Sequence, residues 1–451
     1  MATIPNVQAG VPYSFQLTAS GGVPPLTWAI VSGSFPSGIT LSSSGLISGT
    51  TVQGGTFPFT IRATDALGRV VNITCSFMTL PEACSAEDTA PIVIITNMSD
   101  PGGDIDWTYD DTEGAFYINY GNDSNGRATV EKRSLITGSV IGSCNVAKLF
   151  STGSDGADGI AIDSTYVYLH IVSRSAFADT RVVMRVVRIN RSTMVEAGSV
   201  TIMDVFPTSI LGDYFTRGLL IQGDYLYAKG SRSAGGPTFS DGYISQIHLP
   251  TFTITNTRYF LQSQNTALAG TWEADATHIY LHHQVQGSAT NTIVKKINPA
   301  DFMGAIPEVA LTFVNSYYGP LAILSPTKVY AMFSGDPVNQ VAVIDKAAFT
   351  VDTQVSFPAG GGGKLWGSAY KDGYIYICNN TSGGPLGGMA LKRILAADLT
   401  TVENYGCGGV AAVPLDSGGR YTPRFALDGR MYLRLNTGGD HRYYKRVIEF
   451  S

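Results

Sequence analysis

Apolar and polar residues alternate with a period of two along much of this chain, in short runs closed by glycine, proline, asparagine or aspartate. Near the start, Tyr13, Phe15 and Leu17 share one side of a strand while Ser14, Gln16 and Thr18 take the other, and Phe57, Phe59 and Ile61 repeat the device. Gly/Pro turns separate these runs. Residues 1–81 therefore predict a small β-sandwich with one buried face per sheet.

Further along, the pattern becomes a repeat. A tight turn running into a short apolar strand with a tyrosine at its middle occurs seven times, as in Lys371-Asp372-Gly373-Tyr374-Ile375-Tyr376-Ile377. The anchor tyrosines, Tyr117, Tyr168, Tyr227, Tyr280, Tyr330, Tyr376 and Tyr432, lie 51, 59, 53, 50, 46 and 56 residues apart. A strand-and-turn unit of about fifty residues is the period of a propeller blade. The anchor strands are apolar on both sides, as expected of blades sandwiched between neighbours, and their tyrosines read as packing elements with hydroxyls tied off between blades. The strands before them, such as Asp158–Ile162 and Arg217–Ile221, carry small residues and read as the innermost ones.

The two ends of the repeat fit together. Ile92–Thr96 is a strong strand standing before the first unit, and the seventh unit stops at Phe450 one strand short. Placing Ile92–Thr96 beside Val447–Phe450 closes the ring and removes two exposed edges. The expected organisation is all-β: an Ig-like β-sandwich over 1–81, a proline-bounded linker over 82–91, and a seven-bladed β-propeller over 92–451.

Composition agrees. Charged residues make up 14% and glycine supplies 51 of 451 residues, a balance suited to short strands and turns. The net charge of −5, with no run of Lys or Arg, argues against nucleic acid as a partner, and no segment is apolar and long enough to insert in a membrane. Met1-Ala-Thr-Ile-Pro-Asn lacks the basic and apolar regions of a secretory signal, so none is expected. The five cysteines, Cys75, Cys84, Cys144, Cys378 and Cys407, are widely spaced and without CxxC, which predicts buried free thiols; Cys75 and Cys84 are the pair close enough for a local bridge.

Within the first eighty residues, a Pro-Tyr strand, the turn Gly21-Gly22-Val23-Pro24-Pro25-Leu26-Thr27-Trp28, Gly45-Leu46-Ile47-Ser48-Gly49-Thr50 and Ala63-Thr64-Asp65-Ala66-Leu67-Gly68 follow in order. This succession resembles the putative-Ig, cadherin-like modules of bacterial surface proteins and phage virion proteins. The cadherin analogy would make Asp65 a calcium ligand, whereas its place before a turn reads as an Asx-turn residue. The later repeats match no named propeller signature.

Candidate chemistry is sparse. His278, His282 and His283 form the one histidine cluster, and on a strand His278 and His282 share a face, but no acid or cysteine partner stands at fixed spacing. Asp104, Asp106, Asp158, Glu273, Arg217 and Arg424 lie near the starts of inner strands, where they would line a central funnel. No Asp box, nucleophile elbow or phosphate loop accompanies them, so no catalytic residue, cofactor or metal ligand is assigned. Six Gly/Ser/Asn-rich loops, 173–181, 230–241, 284–291, 335–340, 379–389 and 435–441, follow the anchor strands and would gather on one rim, where they read as ordinary solvated connections or, alternatively, as a recognition surface.

Modules of extracellular type without an export signal point to a particle assembled in a cytoplasm and released by lysis. The expected function is a non-enzymatic structural protein of a bacteriophage virion, as tail fibre, tail hub or capsid decoration, with other virion proteins as partners and a host surface glycan or receptor as a further one. A bacterial surface or secreted lectin-like adhesin is the alternative, and a glycan hydrolase a more distant one.

Overall fold

The computed structural model describes residues 4–5, 7–8, 12–51, 55–80, 93–95, 106–120, 126–151, 153–175, 181–205, 214–233, 240–260, 271–284, 291–313, 316–335, 338–358, 365–381, 388–400, 402–404, 424–425, 431–437 and 440–446. Among these the structure is strand and turn, apart from one turn of 3-10 helix at Pro299–Asp301.

The amino-terminal part is a sandwich. One sheet orders Val7–Gln8, Val70–Leu80, Gly55–Thr64 and Thr27–Gly33, and the facing sheet holds Tyr13–Gln16, Leu46–Gly49 and Ile39–Leu41. Trp28, Ile47, Phe59, Ile61 and Phe77 close the space between them. The rings of Phe35, Phe59 and Phe77 lie 4.8 to 4.9 Å apart, so the alternation read from the sequence becomes an aromatic core.

Seven four-stranded antiparallel sheets follow, six of them simple meanders, and together they make a seven-bladed propeller. Blade 1 is Asp106–Asp110, Ala115–Asn119, Thr129–Ser134 and Val140–Asn145; blade 2 is Gly153–Ile162, Tyr166–Ser175, Val182–Asn190 and Val195–Val205. Blade 3 is Tyr214–Gln222, Tyr225–Ser233, Ser240–His248 and Thr253–Phe260; blade 4 is Thr271–Ala274, Ile279–Gln284, Asn291–Ile297 and Glu308–Thr312. Blade 5 is Ser316–Leu324, Lys328–Gly335, Val338–Asp345 and Val351–Pro358; blade 6 is Leu365–Lys371, Tyr374–Thr381, Gly388–Leu395 and Val402–Asn404. Blade 7 takes Arg424–Phe425, Met431–Thr437 and Asp440–Arg446 from the end of the chain and Val93–Ile95 from its beginning.

First strands approach one another across blade boundaries, which makes them the inner ones. At the boundary of blades 2 and 3 this approach requires glycine. A Cβ on Gly159 would stand 2.9 Å from the Cα of Gly218, and the two residues hold φ at +145° and +105°, where side chains are strained. Both glycines sit at β-bulges, between Ala157 and Ile160 and between Thr216 and Leu219.

The ring closes with a different partner strand from the one expected. Val93, Ile94 and Ile95 pair with Tyr443, Arg442 and His441, not with Val447–Phe450, which lies outside the described residues. The cause is the hairpin before that strand. Thr437 pairs with Asp440 across Gly438-Gly439, a two-residue connection that starts the third strand earlier than the Gly-rich composition of 435–441 suggests. In blade 5 the strands likewise extend into this stretch, to Gly335 on one side and from Val338 on the other.

Candidate functional site

The anchor tyrosines are the most regular feature of the ring. Tyr117, Tyr168, Tyr227, Tyr280, Tyr330 and Tyr376 are between 0 and 5% exposed, so they are packing elements and no ligand ladder; the side chain of Tyr432 lies outside the described residues. In blade 2 the carboxylate of Asp163 holds the turn by accepting from the N–H groups of Thr165 and Tyr166, both at 2.7 Å, and accepts the Tyr168 hydroxyl at 2.6 Å. Asp275 builds the same turn in blade 4, with the N–H groups of Thr277 and His278 at 2.8 and 2.9 Å. Burial and this acidic neighbour push the Tyr168 hydroxyl far above its ordinary pKa, so it stays protonated.

Tyr168, Tyr227 and Tyr280 also meet the next blade. A five-residue turn after the third strand places an apolar residue in the left-handed region: Met194, Phe252, Phe349 and Leu399 have φ of 53°, 51°, 54° and 58°. Their N–H groups bond four residues back, to the carbonyls of Asn190, His248, Asp345 and Leu395. The side chain so presented packs into the preceding blade. Phe252 lies 6.0 Å from the ring of Tyr168 and Phe349 6.4 Å from Tyr280, and Phe302 of blade 4 stands 5.7 Å from Tyr227. In blade 1 the corresponding turn ends on Gly138, with φ +69°.

Polar clamps run alongside these plugs. Arg191, at the end of the third strand of blade 2, donates to Asp110 at 2.7 Å, to the Glu113 carboxylate and to the Tyr117 hydroxyl at 3.0 Å, all in blade 1. Lys346 occupies the same place in blade 5, donates to Asp275 of blade 4 at 2.9 Å and lies 5.3 Å over the Tyr280 ring. The residue opposite the anchor tyrosine reaches forward in turn: Lys132 donates to the carbonyl of Arg191, Gln246 to Pro299 and Lys296 to Lys346, at 3.0, 3.2 and 2.6 Å. These bonds hold their acids ionised. For Asp110 the Thr112 hydroxyl and then Arg191 keep the carboxyl well below the usual range; burial raises that of Asp275, but Lys346 and the turn N–H groups outweigh it.

A second polar cluster lies deeper, about blade 2. Asp155 and Arg185, 1% and 5% exposed, form an ion pair at 3.2 Å facing blade 1, where Arg185 also donates to the Ala147 carbonyl at 2.7 Å. On the opposite face, His170 is fully buried, with Nε2 3.0 Å from the Tyr243 hydroxyl of blade 3; that oxygen also lies 3.0 Å from the sulfur of Met184. Burial pushes the His170 pKa down to about 3, so the ring is neutral.

Among the described residues, those singled out by the sequence do not converge. His282 is buried and bonded to Thr292 at 2.9 Å, while His278 turns to Thr277 at 2.9 Å; the side chain of His283 lies outside the described residues. Among the described residues no three His, Cys, Asp or Glu side chains are grouped to hold a metal. Glu273 is exposed on the first strand of blade 4; Asp104 and the side chains of Asp106, Asp158, Arg217 and Arg424 lie outside the described residues. Asp65 is a turn organiser: it accepts from the N–H groups of Val23, Leu67 and Arg69 at 3.0, 3.0 and 2.9 Å and pairs with the Arg69 guanidinium. Cys75 and Cys144 are free thiols.

Residues 1–78 match the family model described as "Putative Ig domain". No curated protein matches the chain. Among solved structures, the chain is similar to a quinohemoprotein alcohol dehydrogenase from Pseudomonas putida, at 11% identity over 80% of this chain and 77% of that one, with a TM-score of 0.48. It is also similar to the Dos1 propeller, at 10% identity over 79% and 94% with a TM-score of 0.47. The propeller domain of the Trilobed protease from Pyrococcus furiosus is similar at 10% identity over 74% and 90%, with a TM-score of 0.41.

What sequence reasoning missed is the register between blades. The signal is present: six residues separate Arg188 from Met194, Gln246 from Phe252, Lys296 from Phe302, Val343 from Phe349 and Arg393 from Leu399. Each pair brackets one third-to-fourth-strand turn. A repeat defined on the anchor strand alone does not bring these positions together.

Proposed function

We propose that this chain is a non-enzymatic structural component of a bacteriophage virion, displayed on the tail or capsid surface, that works by binding and assembly and takes part in host attachment. The observation that carries the reading is where the ionisable groups are used. Arg191, Lys346, Asp110, Glu113 and Asp275 join one blade to the next, a use that serves a rigid platform. A sandwich of surface-module type carried on such a platform suits a part that is positioned and presented. Blade arrangement, module match and low charge all support binding; the virion is the setting that combines them. Its partners in this reading are other virion proteins and a host surface glycan or receptor.

The test is location. Tagged chain expressed from its native genome should co-sediment with particles released by lysis, at constant stoichiometry through a density gradient; recovery only in the envelope or medium fraction would favour an adhesin instead. A companion assay addresses turnover: purified chain with host envelope polysaccharide should release no sugar. Release abolished by Asp104→Asn, Asp158→Asn, Glu273→Gln or Arg424→Met would replace the binding reading with a hydrolase.

A further inference from the structure

The joint between blades 2 and 3 departs from the pattern of its neighbours. In blades 1, 3 and 4 the side chain opposite the anchor tyrosine, Lys132, Gln246 or Lys296, donates to the carbonyl three residues before the plug of the next blade, that of Arg191, Pro299 or Lys346. Arg188 holds this place in blade 2, directly across from Tyr168, yet it makes no hydrogen bond or ion pair among the described residues. The clamp that reaches back is changed as well. Leu249, three residues before Phe252, stands where Arg191 and Lys346 stand in their own blades.

The Arg188 guanidinium lies over two rings, 4.5 Å from the centre of Phe252 and 5.0 Å from that of Tyr166. Ring faces attract its charge but leave its in-plane N–H donors unmet. Nε is buried without a partner, while the two Nη groups, likewise unbonded, reach solvent. A buried donor on a full charge is costly to leave without an acceptor. Room for one exists on the Nε side. Gly198 pairs with Arg188 beside a β-bulge; a Cβ there would stand 3.6 Å from Nε and 3.9 Å from Cδ1 of Phe252, with nothing else beyond its chain neighbours within 4 Å. The acid of this joint is already engaged: Asp163 accepts from the Thr165 and Tyr166 N–H groups and from the Tyr168 hydroxyl.

We propose that Arg188 binds the carboxylate of a small soluble ligand, taken side-on by Nε and one Nη in the space beside Gly198. The class of ligand follows from geometry and charge. A planar guanidinium fork matches the two oxygens of a carboxylate. Sulfate and phosphate fit a fork too, but the Asp163 carboxylate on the Tyr168 hydroxyl is a fixed negative charge at the same joint and weighs against a second charge on the ligand. The proposal holds whether or not the chain belongs to a particle.

The test is NMR of the isotope-labelled full chain at constant ionic strength. The Arg188 Nε–H resonance, assigned in wild type through bonds to its own side chain, should move saturably with sodium acetate and with sodium glucuronate, and stay in place with glucose. Tighter binding of glucuronate than of acetate would mark an acidic sugar as the ligand, and equal binding a simple organic acid; either supports the site. Sodium sulfate should bind more weakly than both. Arg188→Lys keeps a charge over the rings but loses the fork, so titrations followed on the ligand signals should show affinity for both carboxylates lowered about tenfold. No saturable shift in wild type, an equal response to glucose, or sulfate binding as tight as the carboxylates would overturn the proposal, and none of these readings depends on the variant folding.

Discussion

The Tyr243 hydroxyl of blade 3 lies 3.0 Å from Nε2 of His170 in blade 2, and both side chains are buried. The folded protein keeps this imidazole neutral, with its pKa pushed down to about 3, whereas an unfolded chain would protonate it below about 6.5. The unfolded state therefore binds the extra proton between those values, and stability present above about pH 6.5 is lost as the pH falls toward 3. The slope is at most about 1.4 kcal/mol per pH unit. His170→Gln should flatten the fall in melting temperature between about pH 6.5 and pH 5, a window in which ordinary carboxylates do not titrate. Equal slopes in wild type and variant would show that this histidine is not the group responsible.

The Asp275–Lys346 clamp acts in the same direction but at lower pH. A carboxyl held below its ordinary range contributes stability above the unfolded value near pH 3.9, lost as the pH falls further. In a double-mutant cycle, Asp275→Asn and Lys346→Met should show a coupling of about 1 kcal/mol at pH 7 that is still present at about pH 3, where the folded carboxyl stays ionised. Purely additive effects at pH 7 would mean that the pair is held in place by its surroundings.

Removal of a plug should cost more than removal of a clamp. Phe252 is 8% exposed and packs on Tyr168 beneath the Arg188 guanidinium, so Phe252→Ala should destabilise by about 3–4 kcal/mol in denaturant melts. Its left-handed backbone adds a second expectation. Phe252→Gly should be no worse than Phe252→Ala, because glycine relieves the φ of 51° that alanine retains.

Ring closure predicts a contrast between two truncations. Deletion of 92–96 removes Val93–Ile95 from blade 7 and bares the edge of Asp440–Arg446, whereas deletion of 1–80 removes a sandwich with its own core. The first should lower the melting temperature of the ring far more than the second, and the reverse order would refute the closure.

Much of the fold was legible because burial on alternate sides leaves a period-two record, and because Tyr117 through Tyr330 stand where two blades press together. Strand ends were less legible. Gly438-Gly439 reads as loop by composition, yet glycine is also what a two-residue hairpin needs, and only pairing in space decides between them. The joints were hidden for another reason. Arg191 answers to Asp110 and Glu113 nearly eighty residues away, and no local pattern reports a bond between neighbouring repeats.

The plug and its tyrosine belong to different sheets, so the building block of this ring is not the sheet. A block that travels intact runs from one anchor tyrosine, through the rest of its own blade and the next, to the apolar turn residue that covers it. A gene that gains or loses a blade by copying must therefore be cut inside the sheets to carry both halves of a joint. In blade 1 the turn residue is Gly138, which has no side chain to carry across a joint.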